Sequence, residues 1–145
     1  MEKPLRKFLP TFSDLIDRLS ICLLKSIFIP ENKKQYIEEI SLIKHDIDLI
    51  CEEKEMKSNS NLIWATMIIM LSNRYIWENE SEARSGDDQN LKLLKLTHSI
   101  NGVRNNAKNL LSRELGERVD LKVDCLAAEL KSEFENWEVF KDDGQ

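Results

Sequence analysis

Apolar residues recur at steps of three and four along most of this chain, the spacing of a helix face rather than the alternation of a strand. From Thr11 to Pro30, Phe12, Leu15, Ile16, Leu19, Leu23 and Ile27 make one stripe, with Ile21, Leu24 and Phe28 on nearly the opposite face. Thr11 or Ser13 is placed to cap this first helix, and Pro30 ends it. A helix wetted on one side needs a single stripe. The first helix is therefore expected either to be central or to meet a second copy in a homodimer through its second stripe. A second helix is expected from about Glu31 to Met56, with Tyr36, Ile37, Ile40, Ile43, Ile47 and Ile50 in register.

Lys57 to Ser60 reads as a polar loop, with Ser58 or Ser60 as cap for a third helix from Asn61 to Arg84. Its first half is apolar on all sides and is expected to be the most buried segment. A turn at Ser85, Gly86, Asp87 and Asp88 leads to a fourth helix near Gln89, carrying Leu93, Leu96, Ile100, Val103, Ala107 and Leu111 in one stripe. Helical character continues to Trp137, but one straight helix from Gln89 would be about 70 Å long. A kink or break is expected near Gly116, then a last helix to about Phe140. The pattern predicts an all-α, single-domain bundle of four or five helices over residues 1–145, with 1–10 as an arm and 141–145 as a disordered tail.

Composition agrees: 41% hydrophobic and 32% charged residues with only 4 Gly and 3 Pro favour helices joined by short loops. A net charge of -5 argues against nucleic acid as a partner. The longest apolar stretch, Leu62 to Leu71, is about half a membrane span. Asp14, Asp17 and Arg18 interrupt what would otherwise resemble a signal peptide after Lys3, Arg6 and Lys7. These features predict a soluble, cytoplasmic protein with no membrane partner. Cys22, Cys51 and Cys125 are far apart and read as small core residues rather than a disulfide or zinc set.

Polar residues interrupt the core faces. In the third helix Asn73, Glu80 and Arg84 fall within about 60° of Ile69 at roughly 100° per residue. With Trp77 they share one helical edge at steps of four, three and four. They read either as a polar pocket walled by Trp77 or as a structural ion pair, Glu80 with Arg84, at the helix end. The run Asn101-Gly-Val-Arg-Asn-Asn-Ala-Lys-Asn109 disfavours a helix by about 3 kcal/mol relative to Ala. Yet Val103 and Ala107 keep it in register. Asn101, Arg104, Asn105 and Lys108 fan along one flank, amides and cations suited to phosphate or carboxylate oxygens and sugar hydroxyls. The alternative is an Asn-rich solvated face.

Glu114, Glu117, Asp120 and Asp124, with Arg113 and Arg118 between them, read best as a salt-bridged surface. All-helical nucleotide pyrophosphohydrolases hold Mg²⁺ with paired E-x-x-E and E-x-x-D segments. Here Glu117 and Asp120 give one, while Glu52 and Glu55 stand about sixty residues upstream. His45 and His98 lie opposite their apolar stripes and are expected to be exposed. No nucleophile motif or glycine-rich phosphate loop is present.

Two of these segments, in this order, resemble an uncharacterised bacterial all-helical family that pairs an N-x3-W-x2-E-x2-A-R helix with a later N-x2-R-N helix. The matches are Asn73, Trp77, Glu80, Ala83 and Arg84, then Asn101, Arg104 and Asn105. The segment from Phe12 to Ser20, followed by Lys25, is similar to that family's opening helix. The resemblance spans about two thirds of the chain and implies a surface-polysaccharide setting, hence a sugar or nucleotide-sugar context. His98 and Ser99 depart from the family's acidic residue there.

Three functions follow from this reading. The leading expectation is a non-catalytic, accessory or sequestering protein binding a phosphorylated or sugar-bearing small molecule. Its site would comprise Asn73, Trp77, Glu80, Arg84, Asn101, Arg104, Asn105 and Lys108, with no cofactor and no metal. The second is a metal-dependent nucleotide phosphohydrolase with Mg²⁺ on Glu78, Glu80, Glu117 and Asp120. The third is a structural, partner-binding or dimerising bundle whose polar residues fix helix register.

Overall fold

Thr11 opens the first helix, α1 (Phe12–Phe28), through a reciprocal capping box. Its hydroxyl accepts from the Asp14 N–H at 3.2 Å while the Asp14 carboxylate accepts from the Thr11 N–H at 3.0 Å. A short 3-10 turn (Pro30–Asn32) leads to α2 (Lys33–Glu53), followed by α3 (Ser60–Ser85) and α4 (Asn90–Glu114). The cap of α3 is neither expected serine. Asn59 accepts from the Leu62 N–H at 3.0 Å.

The computed structural model describes residues 1–85 and 90–120, with side chains over 1–81 and 95–120. Among these residues the chain is an all-α, single-domain bundle of four helices with no strand, and no helix is long and apolar enough to cross a membrane. The side chain of Arg84 and the expected turn at 86–88 lie outside the described residues, as do Asp124, Cys125 and the helix and tail expected after residue 120.

The break expected near Gly116 is a Schellman turn. Gly116 takes φ +65°, the Glu117 N–H donates to the Ser112 carbonyl at 2.8 Å, and the Gly116 N–H to Arg113 at 3.2 Å. α2 ends the same way without glycine. Met56 donates to Cys51 at 3.0 Å and Glu55 to Glu52 at 3.2 Å, which places Glu55 at φ +49°.

α3 and α4 form an antiparallel hairpin with the broadest contact in the fold, and α1 packs on both while carrying α2 as its own antiparallel partner. Phe12, Leu62, Ala65, Ile69, Ala107 and Leu111 form the core cluster, closed by Ile16 and by Ile47, Ile50 and Cys51 of α2. The Arg18 guanidinium grips the Glu39 carboxylate at 2.8 and 2.9 Å across the α1–α2 seam. α1 is thus the central helix. From its second stripe Leu24 is buried within the chain and Ile21 half-buried, whereas Leu23 and Ile27 of the first stripe are exposed at its end.

The first half of α3 is not uniformly buried. Leu62, Ala65 and Ile69 are covered, but Trp64 is 62% exposed and Leu71 61%, with Ile63 and Met67 also exposed. α1 and α4 occupy adjoining sides of α3, so an all-round apolar helix leaves its far side uncovered. Cys22 is buried and Cys51 half-buried; burial pushes both thiols up from their ordinary pKa, with Asp48 adding to the effect at Cys51 and Glu39 at Cys22. His45 is exposed beside Asp46, but His98 is half-buried on α4 rather than exposed.

Candidate functional site

Asn73 is the hub of the polar residues. It lies where α3 faces both α1 and α4, only 4% exposed. Its amide nitrogen donates to Asp17 Oδ1 at 2.7 Å and Ser20 Oγ at 2.6 Å, and its oxygen accepts from Arg104 Nη1 at 2.8 Å. Both amide protons and an oxygen lone pair are used, and the orientation is dictated by the carboxylate on one side and the guanidinium on the other. Lys108, one turn after Arg104, places Nζ 3.1 Å from Asp14 Oδ1 and 3.5 Å from Asp17 Oδ2. Three helices are thereby joined by one network of alternating charge, buried enough for its hydrogen bonds to hold against water. Arg104 Nε is buried without a partner, so the guanidinium is only partly satisfied.

Beside this network a cleft of about 460 Å³ opens between the start of α1, the outer flank of α4 and the segment after Gly116. Thr11, Ser13 and Ser112 line it with hydroxyls, Asn105 and Asn109 with amides, and Asp14, Asp120, Lys108 and Arg118 with charge, while Phe8 and Val119 supply apolar wall. The Thr11, Ser13 and Ser112 hydroxyls run as a chain at 3.0 Å per step.

The rim is built by the segment returning from α4. Glu117 accepts from the Phe12 N–H at 3.0 Å, satisfying a free donor in the first turn of α1. Asn109 and Asp120 exchange two hydrogen bonds of 3.0 and 3.1 Å. Arg118 donates to the Leu9 carbonyl, stacks 3.7 Å from the centre of the Phe8 ring and lies 3.7 Å from Asp14 Oδ2. Burial would raise the Asp14 carboxyl, but the Thr11 N–H and Lys108 outweigh it and hold its pKa below the ordinary value.

Of the residues expected to form one site, Asn73, Arg104 and Lys108 meet, and Asn105 lines the adjoining cleft. Asn101 is half-buried one turn earlier on α4. Trp77 is elsewhere: it stacks on Phe28 with ring centres 5.9 Å apart, beside Arg74 at 4.5 Å from the same ring. Phe28 is the last residue of α1, so Glu80, a turn beyond Trp77, projects past the covering helix and is exposed. Helical angle alone does not place Glu80 in the network.

The four alternative metal ligands are not gathered. Glu78 pairs with Arg74 at 2.8 Å on α3, Glu80 is exposed near the same helix end, Glu117 caps α1, and Asp120 lies in the segment after Gly116 with its main chain bonded to the Asn109 side chain. Among the described residues no group of three or more His, Cys, Asp or Glu is placed to hold a metal ion.

Sequence reasoning missed Asp14, Asp17, Ser20 and Arg118 as site residues. A signal was available, since Asp17 and Ser20 stand in register with Leu24 on a face that also carries Ser13. No family model, curated protein or solved structure matches this chain.

Proposed function

We propose that the chain binds a small phosphorylated or sugar-bearing molecule in the cleft between α1 and α4, as an accessory or sequestering protein rather than a catalyst. The observation that carries this reading is the cleft lining: hydroxyls, two amides, two carboxylates and two cations around a space of about 460 Å³. Lys108 and Arg118 offer donors to an anionic oxygen, while Asp14 accepts from a sugar hydroxyl. Phe8 provides a face for the C–H side of a sugar ring. Asp14 also limits charge, since a polyphosphate beside a carboxylate would meet repulsion. A singly phosphorylated sugar therefore fits the lining better than a nucleoside triphosphate. The resemblance to a family in a polysaccharide setting points to the same ligand class.

Isothermal titration with a hexose monophosphate, inorganic phosphate and the unphosphorylated hexose tests this reading. The hexose monophosphate should bind most tightly, and Asn105→Ala and Arg118→Ala should each weaken it roughly tenfold, the worth of about one charge-assisted hydrogen bond. Equal, weak heats from all three compounds, unchanged in the variants, would remove the proposal.

A second reading has its own support, the full use of Asn73 within the fold. A buried polar network that joins three helices also sets helix register, which is the role a purely structural bundle would give it.

A further inference from the structure

Both cations of the cleft are already in use by the protein. Lys108 Nζ lies 3.1 Å from Asp14 Oδ1 and 3.5 Å from Asp17 Oδ2, and Arg118 Nη2 lies 3.7 Å from Asp14 Oδ2. The lining carries two carboxylates, Asp14 and Asp120, for its two cations. An anion entering the cleft therefore gains a cation only by drawing it away from a carboxylate.

Which carboxylate gives way depends on what else holds it. Asp17 accepts from Asn73 at 2.7 Å and its side chain is only 16% exposed, so it is tied into the three-helix network. Glu117 is engaged with the Phe12 N–H. Asp120 lies exposed at the rim, its main chain bonded to Asn109. Asp14 faces both cations, one from each carboxylate oxygen, and its side chain is 41% exposed on the cleft wall. Against the effect of burial, the Thr11 N–H and Lys108 hold its pKa below the ordinary value. A bound anion reverses the part due to Lys108, since it draws that cation off and adds negative charge beside the carboxylate.

We infer that Asp14 is a built-in competitor for the ligand's anionic group, occupying Lys108 and Arg118 in the free protein and displaced from them on binding, with proton uptake at Asp14 favouring the bound state. This rests on the cleft being the binding site proposed above and adds the regulation of that site. The protonated carboxyl keeps a carbonyl oxygen that still accepts from a sugar hydroxyl. Binding and protonation are linked, each favouring the other. Affinity rises as pH falls through the pKa of Asp14 in the complex and levels off below its pKa in the free protein. The other charged groups around Asp14 are Lys108 of α4, Arg118, Glu117 and Asp120 after Gly116, and Asp17 on α1 itself. Comparing the native chain with Asp14→Asn separates Asp14 from these carboxylates.

Isothermal titration with a hexose monosulfate tests this, because a sulfate ester holds one negative charge throughout, whereas a phosphate ester gains a second near about pH 6. Asp14→Asn, which keeps an oxygen for the Thr11 N–H, should bind roughly tenfold tighter than the native chain at about pH 7, and the gap should narrow toward about pH 4. A purely structural role for Asp14 predicts the opposite sign, weaker binding in the variant. Asp46→Asn, which removes an equal charge from an exposed position on α2, should leave affinity within about twofold. In the native chain the Asp14 carboxyl carbon, followed by NMR, should titrate about one pH unit higher with saturating hexose monosulfate than without it. Should Asp14→Asn fail to fold, this midpoint decides. An Asp14→Asn chain that binds no tighter, or a midpoint that the sulfate ester leaves in place, overturns the inference and leaves the cleft reading standing. So does a hexose monophosphate that binds while the monosulfate binds neither chain. Failure of both esters to bind either chain removes the cleft reading together with the inference.

Discussion

A buried side-chain amide offers two donors and an acceptor at once, which suits position 73 better than a carboxylate or an aliphatic group. Asn73 donates to Asp17 and Ser20 and accepts from Arg104. Asn73→Ala should destabilise the fold by about 2–3 kcal/mol in urea denaturation, because the guanidinium and carboxylate keep their burial but lose their bridge. A loss below about 0.5 kcal/mol would mean water replaces the amide without cost. Asp14 makes a pH-dependent contribution. Its folded-state pKa lies below the ordinary value, so its stabilisation is fully present above the unfolded-state pKa. It is lost as pH falls through the folded-state pKa. The stability gap between the native chain and Asp14→Asn, read from urea midpoints, should therefore be wider at about pH 6 than at about pH 3. That Asn73 needs buried partners was legible from its register with Ile69. The partners were not, since periodicity assigns a residue to a face and says nothing of which helix meets it.

The two helix ends built on the same turn differ in one respect that the sequence states openly. Gly116 stands in the left-handed position after α4, where a side chain would be strained, and Glu55 stands in the equivalent position after α2. Glu55→Gly should stabilise the protein by about 1 kcal/mol and Gly116→Ala should destabilise it by about the same, both measurable as shifts in denaturation midpoint. At this scale the sequence was informative, because caps and stops are local. Thr11, Pro30 and Gly116 each act within a few residues of themselves. The cap of α3 was misread, since Ser58, Asn59 and Ser60 are all competent and only geometry selects Asn59. Burial along α3 was misread for a different reason. Trp64, Met67 and Leu71 stand in a run, 61–73, that carries no charged residue, and hydrophobicity in sequence reports what a face would prefer rather than what covers it.

In the whole molecule the central placement of α1 organises everything else. It closes the core through Phe12, supplies Asp17 and Ser20 to Asn73, and sets Thr11, Ser13 and Asp14 at the mouth of the cleft. Trp77 and Glu80, which share an edge with Asn73, are excluded from the site because α1 ends at Phe28, which meets Trp77. The candidate site is thus part of what the N- and R-bearing segments of α3 and α4 suggest, shifted toward α1 and the residues after Gly116. That shift was not legible, because Arg118 and Asp120 reach the cleft only after the chain reverses at a turn. The most direct measurement of the binding claim is native mass spectrometry of the full chain purified gently from its host. The account predicts a species heavier than the polypeptide by one small phosphorylated or sugar-bearing molecule, lost in Asn105→Ala/Arg118→Ala. A bare polypeptide mass that no added hexose monophosphate increases would contradict it.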